Sequence, residues 1–186
     1  MPSDARPEAS PEAKPERKHP VDSIAGQIAY LSTGQRAQLR RLYLTGRHEA
    51  DGIVIEMMHR AGITIPIVPE KFAPWRLFAH CAALLSGTGG VQPHAAGRRL
   101  GSALHEIGLS ENRLMRLTSA RGDALAAQAI RAIRMLAQRG QAPVNLRTLF
   151  DLIGLDPGQA EAARIRIAQD YYAAKARSDE GTSSDD

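Results

Sequence analysis

The sequence predicts an all-α protein, and three observations carry that reading. Apolar residues recur at spacings of three and four along most of the chain. Helix start and stop residues punctuate them at regular intervals. The one alternating stretch, 63–68, contains Pro66, which would remove a ladder donor, so it reads as an extended connector rather than a paired strand. A bundle of roughly eight helices, as one body or two small lobes, accommodates the 186 residues, which can bury a sizeable core.

Each helix follows from its own punctuation. Asp22 or Ser23 can cap a first helix reaching Leu31, and Ser32 or Thr33 a second that runs to Leu44 and is ended by Gly46. A third covers 50–61 and stops at Gly62. Pro69 opens a fourth over 70–86, which Pro74 must either join in the first turn or break. A Gly-rich loop containing Pro93 then leads to a helix over 98–107 that ends at Gly108. Ser110 caps a short helix to Thr118, with Glu111 well placed in its first turn. Gly122 and Asp123 restart the chain into 124–139, ended by Gly140, and Asn145 caps 146–153, ended by Gly154. Asp156 and Pro157 start the last helix, which runs to Ala176.

The ends differ from this pattern. Residues 1–20 are rich in Pro and charge, and 178–186 are small, polar and acidic; both read as disordered tails around a helical domain of 21–177. The N-terminus has no apolar stretch of the kind a signal peptide needs. No apolar run approaches the 18 or so residues of a membrane span. The single cysteine excludes a disulfide framework. The expected address is the cytoplasm.

Charge is unevenly distributed. The first twenty residues hold four acids and four bases, and the last nine hold four acids and no base. That leaves 20 bases and 12 acids in 21–177, a net charge of +8. Only Lys71 and Lys175 of these bases are lysine. Arginine's planar fork suits phosphate, so the balance leans towards nucleic acid, although GC-rich coding would also favour Arg over Lys. Several bases sit on helix faces that the apolar stripe does not use. On 124–139 the stripe is Leu125, Ala129, Ile133 and Leu136, whereas Arg131, Arg134 and Gln138 share another face. Arg113 and Arg116 form a second pair beside Leu114 and Leu117, and Arg36 and Arg40 a third, with Arg41 alongside. Like charges at these spacings repel unless something anionic lies across them. Arg166 is spaced to pair with Asp170.

Catalytic patterns are missing. The six histidines are scattered, with no pair spaced to bind a metal, so neither a metal nor a cofactor is expected. Cys81 lies in an apolar run and reads as a buried thiol. The Gly87-Thr88-Gly89-Gly90 stretch lacks the strand before it and the Lys after it that a phosphate loop needs. Phe72, Trp75, Leu77 and Phe78 are better spent on a core than on stacking bases, so contact with phosphates fits better than base readout. Residues 96–117 could form a helix-turn-helix, which leaves a stand-alone DNA-binding regulator as the alternative. An adaptor that docks acidic protein is a third possibility.

The segment 97–120 resembles the signature of the CasB family, the small subunit of the type I-E CRISPR Cascade complex. The likeness rests on Leu100-Gly101-Ser102-Ala103-Leu104, then Gly108, Glu111, Arg113 and the Leu114-Met115-Arg116-Leu117 helix. Three further segments are similar in order and spacing: Ala37-Gln38-Leu39-Arg40-Arg41 after Gly34, the apolar helix 78–87, and 129–136 with Arg131 and Arg134. The chain departs from the family where Asn145-Leu146 stands in place of Asp-Trp. The resemblance implies a non-enzymatic helical subunit, present in two copies beside the large and backbone subunits of a crRNA-guided complex. It would stabilise the R-loop by holding the displaced strand of target DNA. By position it implies Arg98, Arg99, Arg113, Arg116, Arg131 and Arg134 as nucleic-acid contacts, with Lys71 and Arg164 beside them. Arg40 and Arg41 would meet other subunits.

Overall fold

The computed structural model describes residues 18–43, 49–64 and 68–182, with side chains to residue 180. Gly46, Pro66 and the terminal segments 1–17 and 183–186 lie outside the described residues. Among the described residues there are nine helices and no strand. They are α1 (Pro20–Tyr30), α2 (Thr33–Arg41), α3 (Asp51–Arg60), α4 (Pro69–Ser86), α5 (Leu100–Glu106), α6 (Glu111–Ser119), α7 (Gly122–Gln138), α8 (Leu146–Ile153) and α9 (Pro157–Thr182). One isolated parallel bridge joins His94 to Val144.

α4 is the centre of the bundle. It is apolar nearly all round, from Phe72 through the run Leu77–Leu85, and such a helix must be covered on all sides. α1, α2, α3, α7 and α8 pack around it. That packing carries the helix straight through Pro74, which is itself buried, despite the lost backbone hydrogen bond. α5 lies against α9, and α9 also packs on α6 and α8. Buried residues from each of the nine helices join one hydrophobic cluster, so the described residues form one body and not two lobes.

Several helix ends differ from the sequence expectation. The cap of α1 is His19, whose Nδ1 accepts from the Val21 N–H at 3.3 Å. Asp22 is thereby released to pair with Arg147 of α8 and with His94 Nε2 at 3.0 Å, tying the first helix to the eighth. α2 has a capping box between Ser32 and Gln35. α5 begins at Leu100 because Arg99 is extended and the Arg98 carbonyl is taken, accepting from the Asn145 N–H at 2.7 Å. Asn145 then caps α8 as expected, and Leu146 is fully buried. Gly108 takes φ 74° between α5 and α6, a conformation that favours glycine. α9 continues to Thr182, through residues 178–182 that were expected to be unstructured. Its last buried residue is Ala174, and beyond it each further residue adds a hydrogen bond to an existing helix.

Candidate nucleic-acid interface

The two basic helix faces read separately in the sequence meet in one groove. α6 buries Leu114 and Leu117 and thereby turns Arg113 and Arg116 outward. α7 buries Leu125, Ala129, Ile133 and Leu136, which leaves Arg131 exposed and Arg134 half-buried. The helices pack side by side, and between them runs a groove of about 450 Å³ lined by all four arginines. Its floor is apolar, made by Leu109, Leu117, Ala132 and Met135, and Gln128 and Gln138 add neutral polar groups. Among the described residues no carboxylate lines it. Arg113 rests its Nη1 3.6 Å from the Met135 sulfur. Arg116, Arg131 and Arg134 make no ion pair among the described residues. Four guanidinium groups held together without a counter-charge repel one another, and an anion relieves the cost.

The charge of Arg134 also reaches inward. His80, buried on α4, sits below its ordinary pKa, first because of burial and also because of Arg134, although its contact with the Leu39 carbonyl opposes the shift. With Nδ1 2.9 Å from that carbonyl, the neutral ring donates there, and Nε2 has no partner.

The other residues expected at this surface lie elsewhere. Arg98 bonds to Glu106 at 2.8 Å and to the side chain of Gln141, which ties the loop before α8 to α5. Arg99 pairs with Asp170 of α9 at 3.0 Å, while most of its side chain stays exposed. Asp170 is therefore taken by Arg99, and Arg166 lies instead 3.8 Å from Asp151. Lys71 borders a different hollow with Trp75, Asp151 and Asp156. Arg164 is buried, 7% exposed, and faces the Ala120 carbonyl and Glu161. Its burial removes it from the basic surface. The pair formed by Arg36 and Arg40 also dissolves. Arg36 is 7% exposed and donates to the carbonyls of Ala29, Leu31 and Thr88, which closes the C-terminus of α1. Arg40 is half-buried and Arg41 exposed on α2, which packs on α4. Gln128 and Met135 line the groove without having been singled out. Their spacing of three and four from Arg131 on α7 was the available signal.

The model of the CRISPR-associated protein Cse2 family matches residues 35–172. The chain belongs to the Cse2 family. Cse2 is the CasB small subunit of Cascade, so the resemblance read from four short segments identifies the family correctly. Cse2 proteins are structural subunits of that complex and are not known as catalytic. The crystal structure of CasB from Thermobifida fusca is similar over 80% of this chain and 97% of that one, with 15% identity and a TM-score of 0.44. No curated protein matches. No helix of the described residues is long and apolar enough to cross a membrane. Among the same residues no group of three or more His, Cys, Asp or Glu is arranged to hold a metal ion.

Proposed function

We propose that this Cascade small subunit binds nucleic acid without sequence specificity and stabilises the R-loop, with the groove between α6 and α7 holding phosphates of the displaced strand. The observation that carries this reading is the convergence of Arg113, Arg116, Arg131 and Arg134 on one groove that no carboxylate lines. R-loop exchange is nearly balanced in free energy, so a few phosphate contacts can tip it. Phosphate contacts carry no base information, which suits a subunit serving any guide. Its partners in this role are the large and backbone subunits, a second copy of the chain, crRNA and target DNA, in the cytoplasm. Arg40 and Arg41 are proposed to meet neighbouring subunits, and Arg99 to extend the phosphate track beyond the groove.

The test is R-loop formation by the reconstituted complex with the Arg131→Ala/Arg134→Ala subunit over a salt series. Surface substitutions of this kind change stability by about 0.5 kcal/mol or less, so incorporation should persist. Loss of two contacts to a single strand should flatten the log–log salt dependence by about 0.7 per contact. Target opening should weaken to the same degree across target sequences. An unchanged salt slope and unchanged binding, with the subunit shown to be in place, would sink the proposal.

A further inference from the structure

We infer that a second hollow, formed where the start of α7 meets α8 and α9, receives a protein neighbour in the complex through a segment that presents an aliphatic side chain beside a carboxylate. The hollow measures about 440 Å³, and its walls include Leu77, Leu125, Ala126, Leu152 and Leu155. Its charged side is Arg164, whose guanidinium is buried yet poorly bonded. Nε has no partner, Nη1 lies 3.5 Å from Glu161, and Nη2 lies 3.4 Å from the Ala120 carbonyl. Glu161 is shared with Arg121, which stands 3.2 Å from the same oxygen, so two cations divide one half-exposed carboxylate. A buried cation with such weak acceptors is costly, and an incoming carboxylate would give Nη1 and Nη2 a closer one.

The second element is the helix terminus. α7 begins in this hollow at Gly122, with no side-chain cap on its free N–H groups. Gly122 has φ 52°, and a Cβ built there would touch nothing within 4 Å, so the entrance stands open. Asp123 in the same turn is exposed and does not line the hollow. Free N–H groups and the positive end of a 17-residue helix therefore face the same space as the under-bonded guanidinium.

Charge and polarity select the occupant. The groove between α6 and α7 offers four arginines and no acid, which suits a polyanion. In this hollow two arginines share Glu161, which leaves about one net positive charge, enough for a single carboxylate but not for a run of phosphates. Its apolar walls favour an aliphatic neighbour to that carboxylate. Leu155, 59% exposed on the rim, provides apolar surface for a partner to cover. None of this depends on the nucleic-acid reading of the other groove.

The experiment titrates the isotopically labelled full chain with the peptide acetyl-Leu-Glu-Leu-amide, its Gln counterpart and an oligothymidylate, followed by NMR. The glutamate peptide should shift the amides of Gly122 to Leu125 and the Arg164 Nε–H, and the glutamine peptide should bind about tenfold more weakly or worse. Arg164→Met should abolish that preference while unfolding at the wild-type temperature or above it, because it removes a poorly bonded buried charge. Leu155→Glu, a change at an exposed position, should weaken the glutamate peptide by repulsion at the rim. Equal binding of the two peptides, or shifts at these amides from the oligonucleotide but not the peptide, would overturn the inference. Should Arg164→Met fail to fold, the Leu155→Glu chain decides, and undiminished binding of the glutamate peptide to it would equally refute the site.

Discussion

Gly101 marks the closest approach of two helices, and replacing it with alanine tests the packing directly. A Cβ at this position would lie 2.1 Å from the Ile167 carbonyl oxygen, 2.8 Å from the Asp170 Cβ and 2.9 Å from the Tyr171 nitrogen. Ordinary contact begins at 3.4 Å, so α5 and α9 must part locally by about 1.3 Å (3.4 less 2.1). The obstacle is backbone of a long helix, which cannot swing aside as a side chain tip could. Parting the helices disturbs Ser102 Oγ, which donates to the Asp170 carbonyl at 3.1 Å, and loosens Leu100, Leu104, Ile167 and Tyr171 in the core. Overpacking a core costs about 1–3 kcal/mol, and a backbone clash belongs at the upper end of that range. Alanine returns about 1 kcal/mol of helix propensity relative to glycine. The net loss is about 2 kcal/mol, which for a chain of this length lowers Tm by roughly 4–8 °C. Thermal unfolding followed by far-UV circular dichroism measures it, with Gly52→Ala in α3 as control, since a Cβ there meets nothing within 4 Å. If Gly101→Ala unfolds at or above the wild-type temperature, the close approach is wrong.

Other outcomes follow from the same structure. Arg36→Met should cost about 3 kcal/mol in urea unfolding, because the carbonyls of Ala29, Leu31 and Thr88 lose their buried donor; a loss under about 0.5 kcal/mol would show that water replaces it. His80 and His94 are both held below the ordinary value of 6.5, chiefly by burial. The unfolded chain therefore binds more protons, and their contribution is complete above about pH 6.5 and declines as pH falls. Asp22, lowered by its hydrogen bond from Arg147, adds a further loss below its ordinary value of 3.8. His94→Gln should flatten part of the first decline, and constant stability between pH 7 and pH 5 would contradict this account. Burial pushes the Cys81 thiol up to about 12, so labelling by a thiol reagent at neutral pH should follow global unfolding; rapid labelling of the native chain would refute its burial.

What was legible in the sequence was local. Ser32, one of two candidate caps for α2, Asn145 at the start of α8, and Pro157 at the start of α9 are encoded within a turn of the element they begin, and the structure places each there. The stripe Leu125, Ala129, Ile133 and Leu136 determined which way Arg131 points. That α6 would lie beside α7 and bring the two arginine pairs together depends on helix packing, which periodicity along one helix does not contain. Arg36 shows the same limit. Its spacing from Arg40 describes a surface pair, but its role is set by carbonyls at Ala29 and, 52 positions away, Thr88. Arg164 is the converse: three before Ile167 and seven before Tyr171, it has the spacing of the buried face of α9, and only its charge suggested a surface position.

The crossing of α5 on α9 has a consequence for synthesis. The face of α5 formed by Leu100, Ala103 and Leu104 is completed by Ile167 and Tyr171, which the ribosome adds about 66 residues after Gly101. At roughly 5–20 residues per second that interval lasts about 3–13 s. During it the nascent chain can assemble α4 with the helices before it, while α5 lacks the backbone against which its glycine fits. The small residue that lets α5 and α9 come so close thus sits on one of the last apolar faces to be covered, and release of a chain lacking α9 would leave that face open to other molecules.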